Sequence, residues 1–231
     1  MRLPEPLFPG KLIQRYKRFL VDVAMDGEGL VTAHCPNPGT MIGLLDAGNP
    51  VLLSKSTNPK RKLPLTLELI RVGQAWVGVN TMNANRLIHE ALQTNAIPEL
   101  ANYGEIRKEA IWAAGCRFDF LLQNGQQLCY LEVKNVTLAE NGWAQFPDAV
   151  TVRGTKHLRH LMQAVAMGHR SVMLFLVHRS DCQRFQPAHH IDAVYAETLR
   201  LAADRGVEVL AYRTVIDPPM AFLDCKLSFE L

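Results

Sequence analysis

The sequence predicts two domains of different class, an all-β unit over residues 1–80 and an α/β unit with a central sheet over residues 81–231. Three observations lead there. Short β-type runs broken by glycine and proline fill the first eighty residues, apolar residues switch to helical spacing from Asn83, and strand-like and helix-like runs then alternate to Tyr212. The composition, 48% apolar and 20% charged, is that of a globular chain able to bury a core.

In the first unit the β-type runs are 13–23, 30–34, 50–56, 65–72 and 75–79, about five strands. Gly27, Gly29, Pro36, Pro38, Gly39, Gly48, Pro59 and Gly73 fall between them. That spacing suggests a small barrel such as an OB-fold, with a sandwich as the alternative. In the second unit Leu87, Ile88, Ala91 and Leu92 mark a helix with Asn83 as its N-cap. Strands follow at 106–112, 116–123 and 128–134, then an amphipathic helix at 154–167 and a wholly apolar strand at 171–177. A helix at 191–204 and a last buried strand at 207–212 complete an α/β sandwich. The boundary falls near Asn80, with no repeat or low-complexity tract.

The net charge of +3 is too small to predict a polyanion partner by itself, so the positions of the charges matter. Five scattered cysteines, with no CxxC pair or zinc spacing, read as reduced thiols. The start has no secretory apolar run and no stretch is long enough to span a membrane, so a cytoplasmic protein is expected. The absence of GxxxxGK, GxGxxG and GxSxG argues against nucleotide hydrolysis, dinucleotide redox chemistry and the usual serine hydrolases.

Residues 117–134 are the most informative segment. Asn124-Gly125 between two apolar runs signals a hairpin. With a two-residue loop at 124–125, Asp119 pairs with Tyr130 and lies diagonal to Glu132; with a four-residue loop at 124–127, Asp119 faces Glu132. Either register puts Arg117, Asp119, Tyr130, Glu132 and Lys134 on one face, with Phe118, Phe120, Leu122, Cys129, Leu131 and Val133 on the other. Two opposed carboxylates repel and raise each other's pKa unless a cation lies between them, which suits Mg2+ or Mn2+. Such a centre leaves positions open for water and a phosphate oxygen, as metal-assisted phosphodiester hydrolysis requires. Lys134 is placed to orient the water and offset charge. The alternative is a solvated ion cluster on an exposed sheet face.

Asp119 with Glu132-Val133-Lys134 resembles the core of the PD-(D/E)xK nuclease superfamily, except that Phe118 and not proline precedes the aspartate. Over nearly its whole length the chain resembles the sugar fermentation stimulation protein A family, through segments 13–19 (IQRYKRF), 34–37 (HCPN), 83–87 (NANRL), 132–134 (EVK), 146–149 (FPDA) and 153–158 (RGTKHL). The resemblance implies an N-terminal OB-fold, a PD-(D/E)xK nuclease-like second domain, DNA binding without sequence specificity, and a regulatory role in sugar (maltose) utilisation. It also implies Asp119 and Glu132 as metal ligands, the Val133 carbonyl as a third, Lys134 as the water-orienting group, and Glu90 as a further acidic residue.

Two basic clusters flank the expected barrel: Arg15, Lys17 and Arg18 around Tyr16, and Lys60-Arg61-Lys62. An OB-fold would use them against phosphates, with Tyr16 or Phe19 as a stacking platform. Arg153, Lys156 and His157 open the helix after the hairpin and are expected to approach the same phosphates, as is Arg86. Adjacent His189 and His190 are discounted as a metal pair because neighbours at a helix start point apart. Two functions follow: a metal-dependent DNA nuclease, or a DNA-binding regulator whose nuclease-like domain is a scaffold. The preferred DNA form and the oligomeric state are not legible.

Overall fold

The computed structural model describes residues 1–113 and 115–231. The first six strands are β1 (Leu7–Tyr16), β2 (Leu20–Met25), β3 (Gly29–His34), β4 (Pro50–Lys55), β5 (Leu65–Val72) and β6 (Ala75–Gly78). β1 is long and shared: Leu7 to Lys11 pair with β4 and Lys11 to Tyr16 with β2, across a bulge between Leu12 and Gln14. A parallel contact, His34 to Thr66, joins β3 to β5 and closes the order 1-2-3-5-4 into a barrel. Closure decides for the OB-fold over the sandwich. Leu12, Val21, Val23, Leu53 and Leu67 fill its interior.

The run 13–23, expected as one strand, is two. Lys17 and Arg18 both adopt positive φ (47° and 64°), and the Phe19 amide donates to the Lys17 carbonyl at 2.7 Å. β-propensity on either side hid a turn that contains no glycine.

Helix α1 (Thr81–Gln93) is capped by Asn80, whose side chain accepts from the Met82 amide at 3.1 Å. Asn83, expected in that role, is buried one turn further in. Glu68 of β5 accepts from Ser54 (2.6 Å), Asn80 (2.8 Å) and Asn83 (2.7 Å), so one buried carboxylate ties the barrel to the helix.

The remaining elements are β7 (Glu105–Ala113), β8 (Cys116–Asn124), β9 (Gln127–Val136), β10 (Leu138–Glu140), β11 (Trp143–Phe146), α2 (Val152–Ala166), β12 (Arg170–Val177), β13 (Arg184–Pro187), α3 (Ala193–Asp204), β14 (Glu208–Asp217), β15 (Met220–Lys226) and β16 (Ser228–Phe229). The central sheet runs β15-β14-β12-β9-β8-β7, with β12 parallel to both neighbours. Helix α1 covers one face through Ala84, Leu87, Ile88 and Leu92, packed on Phe120, Leu131, Val172 and Leu174. Helices α2 and α3 cover the other through Leu158, Leu161 and Leu199, packed on Tyr130, Met173 and Phe175. Covered on both faces, β12 reads as an unbroken apolar run. β10, β11, β13 and β16 form a small second sheet.

Residues 1–3 pack outside the barrel: Leu3 donates to the Pro219 carbonyl at 2.8 Å, and Met1 and Leu3 are buried with α1. The barrel meets the central sheet at Gly78. Its amide donates to the His178 carbonyl at 2.8 Å and its carbonyl accepts from Asn135 at 3.2 Å.

Candidate metal centre and nucleic-acid cleft

The hairpin between β8 and β9 closes on the pair Asn124 and Gln127, leaving Gly125 (φ 58°) and Gln126 as the loop. The loop matches neither expected form, yet the register is the one in which Asp119 stands across from Glu132. The last paired residues are Phe120 and Leu131. One residue on, Asp119 Oδ2 accepts the Val133 amide at 2.8 Å, and Oδ1 accepts from Asn85 of α1, also at 2.8 Å. On the other side Glu109 of β7, level with Asp119, adopts φ 52°.

This irregularity turns β8 over. Phe120 and Leu122 join the α1 core, whereas Phe118, expected on the same side, packs with Tyr130 and Trp112 in the α2/α3 core. The division into a core face and an open chemical face is therefore corrected. Tyr130 is buried, and Glu132 is only 3% exposed.

Glu132 and Lys134 pair along β12 with Met173 and Phe175, which places them on the α2 side. Glu132 Oε1 accepts from Lys134 Nζ at 2.6 Å and also meets His157 Nδ1. Helix α2 delivers His157, the N-cap Thr151 accepting from the Gly154 amide at 3.1 Å. Arg153 Nε lies 3.3 Å from His157 Nε2, so that nitrogen accepts and Nδ1 carries the proton toward Glu132. Glu132 Oε2 is buried and has no partner among the described residues.

Burial and then the neighbouring Glu132 push the Asp119 carboxyl up to about 6, against the Val133 amide, Lys134 and Asn85. Burial also raises Glu132, but Lys134 and His157 outweigh it and hold that carboxyl below its ordinary value. The two carboxylates thus divide their roles, one held ionised and the other reluctant to ionise without added positive charge.

Glu90 is not brought to this group. Its exposed carboxylate pairs with the Met1 amino group at 2.8 Å, and Asn85 is the α1 side chain that reaches Asp119. Arg86 reaches Asn83 and the Arg2 carbonyl instead of the carboxylates. Among the described residues no three His, Cys, Asp or Glu side chains gather as a metal cage, His189 and His190 included. A cation here would rest on Asp119, Glu132, main chain beside Val133, and water. So sparse a protein shell suits Mg2+ or Mn2+, which keep waters and bind substrate phosphate, and the orphaned Glu132 oxygen fits that demand.

A cleft of about 640 Å3 reaches this group through Asn85, Val133 and Lys134, the two carboxylates lying behind its lining. Arg18, Asn37 and Gly39 line it from the barrel, and Gln145 to Arg153 from the α/β domain. The first turns of α1 and α2 both border it, so the positive ends of two helix dipoles face the cleft. Gln145 is buried, and its Oε1 has no partner among the described residues.

The remaining basic residues separate by role. Arg15 donates to the carbonyls of Arg18 (2.8 Å), Asn37 (2.7 Å) and Thr40 (3.3 Å), and so braces the β1–β2 turn. The Tyr16 hydroxyl is held by Asp22 at 3.2 Å, leaving Phe19, exposed and stacked at 6.4 Å on His34, as the free ring. Arg61 lies 3.3 Å from that histidine, so the β1–β2 and β4–β5 loops meet over the end of β3. Lys17, Arg18, Lys60 and Lys62 are exposed on those two loops, which border the binding face of OB-folds. Lys156 is exposed on α2.

Asn85, Gln145 and Asp148 were not singled out from sequence. Asn85 and Asp148 fall inside segments 83–87 and 146–149 and Gln145 directly precedes the latter, so those segments were the available signal.

A family model described as the sugar fermentation stimulation protein RE domain matches residues 82–220, and one described as the SfsA N-terminal OB domain matches residues 13–79. The chain belongs to the sugar fermentation stimulation protein family. Homologues of that protein from Geotalea uraniireducens and Geotalea daltonii are 48% and 50% identical over 231 residues, with both chains fully covered. One from Citrifermentans bemidjiense is 52% identical over 216 residues, 94% of each chain. Among solved structures, Pyrococcus furiosus SfsA in complex with Ca2+ superposes with a TM-score of 0.92 at 23% identity, each chain covered completely. At that identity the likeness establishes the fold. No helix among the described residues is long and apolar enough to cross a membrane.

Proposed function

We propose that this member of the family is a cytoplasmic protein that binds DNA without sequence specificity and hydrolyses its phosphodiester bonds at a divalent-metal centre built on Asp119 and Glu132. The observation that carries the reading is Glu132 Oε2, an acceptor buried without a partner among the described residues, beside a second carboxylate whose pKa is raised by burial and by Glu132. Leaving such a group unsatisfied is costly in a folded protein unless a ligand completes it. The related structure in complex with Ca2+ supports a divalent cation, as it names one.

When bound, Mg2+ or Mn2+ would supply an acidified water and stabilise the charge gathering on phosphorus. Asp119 and Glu132 would hold it with the main chain at Val133. Lys134, 2.6 Å from Glu132, would orient the attacking water and counter charge on the phosphate. His157 fixes the Glu132 carboxylate from α2, and Arg153 fixes His157. The exposed lysines and Arg18 on the two barrel loops, with Phe19, would supply salt-sensitive grip on the backbone and a stacking surface.

A second reading has its own observation. Lys134 already neutralises Glu132 and His157 hydrogen-bonds the same oxygen, an arrangement that also suits a DNA-binding regulator of sugar (maltose) metabolism with a silent site. Calorimetric titration of Mn2+ tests the metal centre: we expect a site that Glu132→Gln abolishes and Glu90→Gln leaves intact. Heat unchanged by Glu132→Gln would remove the proposed centre.

A further inference from the structure

We infer that the cleft accepts an unpaired strand of DNA and excludes the duplex. The inference rests on the nuclease reading of the same cleft, deepens it to a substrate class, and has a test that separates the two failures.

Two of the segments that line the cleft are bonded to each other. Thr40 Oγ1 donates to the Asp148 carbonyl, and the Asp148 carboxylate accepts the Met41 amide at 2.8 Å. This bridge joins the barrel segment 37–41 to segment 145–153, so two walls of the cleft are tied to each other. Gly39 lies against the same carboxylate, where a Cβ would come within 2.4–2.9 Å of it, so the segments meet with no room between them. The candidate centre is deep, with Glu132 only 3% exposed. A phosphate in a base-paired helix carries its partner strand and both grooves with it, and the tied walls stand in their way. A single strand has no such bulk.

The chemistry of the lining points the same way. Arg153, with the first turns of α1 and α2, puts positive potential on one wall of the cleft, and Arg18 adds to it from the barrel, while Lys134 is paired with Glu132. The lips are apolar: Met82 is 71% exposed, Val150 71% and Val152 80%. Three large apolar side chains are left to water beside walls that carry Arg18 and Arg153. Duplex DNA offers a surface like this only phosphate and sugar, because its base faces are stacked. An unpaired strand offers both halves, phosphates directed inward and base faces free to rest on apolar lips.

The test uses the whole protein and fluorescently labelled oligonucleotides of one sequence, single-stranded and as a blunt duplex, with binding measured in EDTA at 0.1 M salt. Cleavage of both forms, circular single strands included, is followed with Mn2+. We expect the single strand to bind about tenfold or more tightly than the duplex, and the variant Met82→Ser/Val150→Ser/Val152→Ser to lose most of that ratio while retaining duplex affinity. These side chains are exposed, so the variant should fold as the parent does. A second variant, Asp148→Ala, removes the carboxylate part of the bridge and is expected to raise duplex binding. Equal or tighter binding of the duplex by the parent, or a ratio unmoved by the lip substitutions, would overturn the inference even if cleavage is seen. The expected binding ratio without cleavage under any metal would retain it and fail the nuclease reading alone.

Discussion

Asp119 Oδ2 accepts the main-chain amide of Val133 at 2.8 Å, so a side chain occupies the place a strand carbonyl would take. The bond fixes the half-buried Asp119 next to Glu132, and its carboxyl is pushed up to about 6 by loss of water and then by Glu132. A carboxyl whose folded pKa lies above its unfolded value favours the folded state while protonated. Its contribution is complete below about pH 3.9 and is lost as pH rises through about 6. Asp119→Asn should therefore be more stable than the parent at pH 7 in EDTA, by on the order of 2–3 kcal/mol. The difference should vanish toward pH 4. Urea unfolding of both proteins from pH 4 to 8 reads this, and a gap that does not change with pH would show that Asp119 ionises freely.

Added cation should act in the opposite sense. Mg2+ or Mn2+ is expected to raise the melting temperature of the parent at pH 7 by mass action on the folded state, and to leave Asp119→Asn and Glu132→Gln nearly unmoved. Differential scanning calorimetry with and without metal checks it, and an equal rise in all three proteins would assign the effect to another place.

The basic residues of the barrel should separate by function. Lys60→Ala/Lys62→Ala is expected to leave the melting temperature unchanged, weaken DNA binding and reduce the salt slope by about 2. Arg15→Ala should instead cost about 1–3 kcal/mol of stability, because it removes a charged donor from three carbonyls. Binding over a salt series and thermal melts on the same preparations distinguish the two.

At the seam between barrel and sheet, a Cβ on Gly78 would lie 2.3–2.5 Å from the His178 ring. His178 is fully buried and held by Asn135 at 2.9 Å, so it has no room to withdraw. Gly78→Ala should cost about 1–3 kcal/mol or more in urea unfolding.

The architecture was legible where packing is simple. β12, buried on both faces, and β5, bounded by proline and glycine, carry patterns that only one element type satisfies. The β1–β2 turn was hidden because Lys17 and Arg18 take positive φ without glycine, and the small second sheet because its strands are short. Asp119, Glu132 and Lys134 stood out as costly charges on a sheet, and the structure does bring them together. The inversion at Phe118 was not legible, since it depends on a side-chain-to-backbone bond and on Glu109 of a neighbouring strand. Glu90 failed as a transferred ligand because helix phase and the Met1 amino group, not chain position, decide where it points.

Metal-dependent cleavage is the chemistry that the Asp119 and Glu132 pair is expected to support. Purified protein is incubated at low salt with single- and double-stranded DNA in Mg2+, Mn2+ or EDTA, beside Glu132→Gln and Glu90→Gln. The account predicts cleavage that needs metal, persists in Glu90→Gln and falls by about 10²-fold or more in Glu132→Gln. Intact DNA in every metal-containing reaction, with DNA binding preserved, would contradict it and leave the regulator.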